Sequence, residues 1–160
     1  MNPVVLGVDL GSRNTGFGVL QEEGERFRHL SSGRIRAGSR RPLEARLRQI
    51  YDALVGLIQD HQPQALALEE IFLAANVHSA FILGQVRGVV LLAAAQAGVP
   101  IFYYPALVVK KAVVGYGQAT KAQVQLMVEQ LLGVKTDCQH AADALAVGLC
   151  HFFHHRGPKI

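Results

Sequence analysis

The stretch "VVLGVDLGSRNTGFGVL", Val4 to Leu20, decides how the rest of the chain is read. On both sides of Asp9, apolar residues alternate with glycine, the composition of a central strand rather than of a surface loop. An aspartate in such a place is hidden from water. Burying a lone carboxylate is costly unless a cation, a metal ion or a set of hydrogen-bond donors compensates, so Asp9 is either neutralised structurally or used. The turn "GSRN" separates residues 3–10 from residues 14–22, which predicts two strands of a hairpin, and residues 26–36 predict a third. Three strands with short connections make an antiparallel meander.

After the meander the hydrophobic period changes. "PLEARLRQIYDALVGLIQD" sets Leu43, Leu47, Ile50, Leu54 and Ile58 at helical spacing, with Pro42 in the first turn. "ALALEEIF" is a short apolar strand. "NVHSAFILGQVRGVVLLAAAQAG" predicts a long helix, apolar on nearly every side, with Asn76 as its cap. "VPIFYY" gives a strand over 100–104 and the start of another helix, and two further helices follow over 119–132 and about 139–155. The order βββαβαβα predicts an α/β fold: a mixed five-stranded sheet, three strands antiparallel and then parallel crossovers, flanked by helices.

A chain of 160 residues, 50% hydrophobic and 18% charged, suits one domain with a sizeable core, assigned here to 1–156 with a short basic tail over 157–160. Cys138 and Cys150 are too few for a disulfide framework and are expected to be reduced thiols. The amino terminus has no basic segment followed by an apolar run, so a soluble, cytoplasmic protein is expected. Residues 88–109 carry no charge, a run long enough to raise a membrane span, but Gly98, Pro100 and Pro105 interrupt it. No membrane partner is therefore expected. The net charge is +4, and eight of the eleven arginines lie between Arg26 and Arg48 with only Glu44 opposing them. A solvated face and a phosphate-binding surface are both consistent with that distribution.

Three acids and a histidine fall at the ends of apolar elements. Asp9 lies in the first strand, Glu69 ends the fourth, and "HAADALA" puts His140 and Asp143 three residues apart on one helical face. Together they could line one cleft. Strand alternation sends Glu70 to the face opposite Glu69, and the glycines beside Asp9 leave room for a phosphate backbone to approach. By composition alone, Lys110, Lys111 and Lys121 are solvated lysines, Phe72 is a core residue and "GYG" at 115–117 is an ordinary turn. The tail "CHFFHHRGPK" places Cys150, His151, His154 and His155 close together, but without the second ligand pair of a closed zinc set.

The segments "GVDLGSRNTGFGV", "ALEEIF", "LGQVRGV", "VKKAVVGYGQATKAQVQ" and "HAADALAVG" together resemble the RuvC family of resolvases, which cut four-way (Holliday) DNA junctions and have an RNase H-like fold. The resemblance covers nearly the whole chain. It implies that Asp9, Glu69 and Asp143 hold divalent metal, two Mg²⁺ ions per active site with Mn²⁺ also supporting activity. It implies DNA contacts by Lys110 or Lys111 with Lys121, by Arg87, and by Phe72 at bases of the opened crossover. Paired nicks in two strands call for two sites related by two-fold symmetry, so a C2 homodimer is expected, with the helix near residues 77–97 as its interface; branch-migration partners of the RuvA and RuvB type follow from the resemblance alone. His140 stands where many relatives carry an aspartate and joins the expected catalytic and metal set in its place. The first motif is also similar to the phosphate loop of actin-like and Hsp70-like ATPases, whose two lobes need a longer chain. A junction-binding module without cleavage is the other alternative, and the related YqgF-type nucleases match the later motifs less well.

Overall fold

The computed structural model describes residues 1–70 and 76–156. β1 (Val4–Asp9) sits at the centre of a five-stranded sheet, antiparallel to β2 (Asn14–Glu23) and parallel to β4 (Ala65–Glu69). β3 (Arg26–Arg36) and β5 (Ile101–Tyr104) form the edges, giving the order β3-β2-β1-β4-β5. The meander followed by parallel pairing is the arrangement the sequence predicts.

Alternation along β1 sends Val4, Leu6 and Val8 to one face and Val5 and Asp9 to the other. Two helices cover the first face. α1 (Leu43–His61) packs there through Ile50, Leu54 and Ile58, one turn apart. α2 (Val77–Gln96) packs beside it through Val86, Val90, Ala93 and Ala94. Asn76 caps α2 as expected, its side chain accepting from the amides of His78 and Ser79. α2 is long and apolar enough by length and composition to cross a membrane. The strands it joins, however, lie side by side in one sheet, and its inner face is part of the core.

On the other face lie α3 (Ala106–Val114), α4 (Lys121–Leu132) and α5 (Gln139–His155). The observed order is therefore βββαβαβααα, two helices more than the pattern βββαβαβα: the segment that begins after Pro105 is a helix of its own, nine residues long, and the two later helices follow it separately. α4 starts at a capping box, in which Thr120 accepts from the Gln123 amide and the Gln123 side chain accepts from the Thr120 amide.

Glycine determines how closely α5 approaches the sheet. A Cβ on Gly7 would lie 2.0 Å from the Ala144 carbonyl oxygen, and one on Gly16 would lie 2.1 Å from that of His140. The backbone of α5 fills the space that glycine leaves. This corrects the expectation that a phosphate backbone would approach there, and it explains how His140 and Asp143 come to lie beside Asp9. At its far end α5 packs aromatically, with Phe152 stacked on Phe27 and His151 on His155. Tyr104 and the Nδ1 of His151 lie 2.7 Å apart, and burial pushes the His151 ring down to about 4.

Candidate active site

Five elements bring charged side chains to one cavity of about 350 Å³. β1 contributes Asp9, β4 contributes Glu69, α5 contributes Asp143, and α3 and α4 contribute Lys110 and Lys121. β1 and β4 are parallel neighbours, so their carboxyl ends open side by side, as ligand sites in open α/β sheets do. Leu10, Leu83, Ala106, Val109, Val124 and Ala146 form the apolar part of the wall.

The electrostatics suit a cation. Burial first and then the Asp143 charge raise the Asp9 carboxyl, against the opposing pull of His140, through a hydrogen bond and its charge, and of Lys121, so that it moves from its ordinary 3.8 to about 6. Glu69 is raised as well, first by burial and then by Asp9 and Asp143, with Lys110 and Lys121 opposing. The crowding of acids thus raises the cost of ionising Asp9 and Glu69, and positive charge placed among them relieves it. Lys121 Nζ supplies some, 3.8 Å from Asp143 Oδ2. Every carboxylate donor here is a hard oxygen, which fits Mg²⁺ or a similar divalent ion. Among the described residues, no three His, Cys, Asp or Glu side chains already form a group that could hold one ion. The acids surround the cavity without being closed onto a centre.

The remaining expected site residues take different positions. His140 does not line the cavity; its Nδ1 lies 3.2 Å from Asp9 Oδ2, next to the acid. Lys111 is exposed and outside the lining, one residue around α3 from Lys110. Arg87 lies one turn beyond Leu83 on α2, its guanidinium 4.8 Å from the centre of the Tyr103 ring. Phe72 lies outside the described residues. Glu70 departs from expectation: it lines the same cavity as Glu69, because β4 ends at Glu69 and strand alternation no longer governs the next residue. The sequence also gave no sign of Gln139, whose amide donates to Asp143 Oδ1 at 2.9 Å. The i, i+4 spacing within α5 is the signal that could have pointed to it.

Residues 5–151 match the family profile described as "Crossover junction endodeoxyribonuclease RuvC". A protein of that description from Geobacter sulfurreducens is 47% identical over 148 residues, 92% of this chain and 90% of its own length. One from Shewanella amazonensis is 49% identical over 154 residues, 96% of this chain and 88% of its own length. The RuvC of T. thermophilus, solved in complex with a Holliday junction substrate, superposes with a TM-score of 0.91 at 36% identity, covering 96% of this chain and 95% of that one. The yeast mitochondrial Holliday junction resolvase shares the fold, with a TM-score of 0.64 at 11% identity over 93% of this chain and 77% of that one. With the profile spanning most of its length and relatives of this similarity, the chain belongs to the RuvC family of crossover junction endodeoxyribonucleases.

Proposed function

We propose that this chain resolves four-way DNA junctions during recombination and repair by hydrolysing one phosphodiester per active site, with Asp9, Glu69 and Asp143 as ligands to divalent metal. One observation carries the chemistry: three carboxylates from three elements meet at a cavity that also holds two lysines, and two of those carboxylates are raised by burial and by their neighbours. Family membership carries the substrate.

A phosphodiester is a stable anion, so its hydrolysis needs an activated water and stabilisation of the leaving oxygen. Divalent ions, when bound, supply positive charge for both. The chain's own groups bind and orient. Lys110 and Lys121 offset the charge of the incoming phosphate, and Gln139 holds one oxygen of Asp143 while the other lies 3.8 Å from Lys121 Nζ. Lys111 and Arg87 extend phosphate contact beyond it, and Phe72 is retained as the residue that meets bases at the crossover. His140 stands beside Asp9, where it either orients that carboxylate or joins the ligand set. Mg²⁺ is the expected ion; an imidazole ligand would move preference toward Mn²⁺.

Paired nicks require two sites related by a two-fold axis, which a homodimer supplies. The outer face of α2 suits that contact: Val77 and Phe81 are 74% and 71% exposed, and Gly84 and Gly88 on the same face leave open space where another helix could approach. A DNA-acting enzyme of this kind is expected in the cytoplasm, working with branch-migration proteins of the RuvA and RuvB type.

The test uses protein stripped with a chelator and a synthetic four-way junction beside a linear duplex of the same sequence. Restored Mg²⁺ should give nicking confined to the junction, and none should occur in chelator. Repeating the titration with Mn²⁺ on wild type, His140→Asp and His140→Ala assigns the histidine. A shift toward Mg²⁺ in His140→Asp supports ligation, whereas identical metal profiles leave it as an orienting group. Cutting in chelator, or equal cutting of the linear duplex, would contradict the proposal.

A further inference from the structure

Arginine recurs at even positions along β3, at Arg26, Arg28, Arg34 and Arg36. In a regular strand all four would share one face. The pairing with β2 breaks that regularity: Leu20 pairs with His29 but Val19 pairs with Ser31, leaving Leu30 as an extra residue. Such a bulge turns everything beyond it to the opposite side. Before it, Phe27 points to the α5 face and stacks on Phe152, so Arg26 and Arg28 point to the α1 face. After it, Ile35 packs in the core under α1 and α2, so Arg34 and Arg36 point to the α5 face, the face of Asp9.

The register then fixes where they lie. Asp9 pairs with Gly16 and Gly16 with Arg34, so Asp9 and Arg34 occupy one row, two strand spacings or about 10 Å apart. Arg36, opposite Asn14, lies further toward the cavity end. Arg13 is tied to the same corner, its carbonyl accepting from the amides of Ala37 at 2.9 Å and Gly38 at 3.2 Å. All three side chains are exposed, and among the described residues no carboxylate pairs with any of them, whereas Arg28 meets Glu23 at 3.5 Å. Charge on an edge strand also discourages edge-to-edge pairing, a role that Arg26 and Arg28 can fill at the far end of the strand.

We infer that Arg13, Arg34 and Arg36 form a second phosphate-binding track, which holds the duplex arm leaving the cavity across the edge of the sheet. The bulge at Leu30 is the device that aims this track at the DNA side. The inference rests on the proposed nuclease function and adds a contact surface to it. With one charge per 3.4 Å along each DNA strand, guanidinium groups about 10 Å from Asp9 reach phosphates a few nucleotides from the cut.

The experiment compares R34E/R36E with R26E/R28E: the same charge change in the same strand, on opposite faces. Junction affinity is measured by gel shift across a salt series, in Ca²⁺ or chelator to prevent cutting, with thermal melting as the check on folding. R34E/R36E is expected to weaken binding tenfold or more and to lower the slope of log affinity against log salt by about two. R26E/R28E should change affinity less than about threefold. Equal effects of the two pairs, or no effect of R34E/R36E, would overturn the inference. If R34E/R36E does not fold, R34Q/R36Q takes its place and is judged by the same salt slope. Failure of the nuclease reading looks different, because wild type would then leave the junction uncut when Mg²⁺ is restored, whatever the salt slopes of the two pairs.

Discussion

The folded chain holds the proton of Asp9 more tightly than the unfolded chain does, about 6 against 3.8. Between those values unfolding releases a proton, so the contribution of Asp9 to stability falls as pH rises through that window. At pH 7 without metal the ionised carboxylate therefore costs up to about 3 kcal/mol. Asp9→Asn keeps the shape and removes the charge. In chelator it is expected to raise the melting temperature by several degrees at pH 7 and to leave it unchanged below pH 4. An equal shift at both pH values, or a loss of stability at pH 7, would show that the burial of Asp9 is not the source. That Asp9 is largely withdrawn from water was legible from the apolar and glycine residues around it. Its contact with His140, and that of Gln139 with Asp143, were not, because both depend on how α5 docks, which no local pattern encodes.

Docking of α5 is decided by glycines in β1 and β2, and it sets the distance between Asp9 and Asp143. Gly7→Ala places a Cβ 2.0 Å from the Ala144 carbonyl, backbone that can move only if the helix moves. The expected result is a destabilisation of about 3 kcal/mol or more and a loss of cleavage even at temperatures where the variant is folded. Gly56→Ala in α1 is the control: its Cβ meets nothing within 4 Å, and alanine should stabilise the helix by up to about 1 kcal/mol. Equal melting of the two variants would contradict close docking. At this scale most of the fold was legible, since hydrophobic period and turn residues mark β1 to β3, α1, α2 and α5. α3 was visible only at its start, because four valines in nine residues disfavour helix locally, and burial of Val109 and Val113 offsets that. The bulge at Leu30 leaves no local signal; it arises from the register with β2. The glycines announced a close approach but not which backbone would make it.

The cavity end of the molecule gathers the acids, Lys110, Lys121 and, across the sheet edge, Arg34 and Arg36, while the outer face of α2 remains apolar. One chain offers one such cavity among the described residues, so in the proposed arrangement paired cutting depends on association through α2. Phe81→Glu is expected to shift sedimentation from dimer to monomer at micromolar concentration and to replace paired nicks with single ones. A wild-type monomer that still makes paired nicks would refute that arrangement. The proposed function separates binding from chemistry, with phosphate affinity assigned to lysines and arginines and hydrolysis to three acids. The most direct test measures junction binding and junction nicking side by side for wild type, Asp9→Asn, Glu69→Gln and Asp143→Asn. The account predicts binding within a few-fold of wild type for all three variants and no detectable nicking; nicking at the wild-type rate by the variants would contradict it.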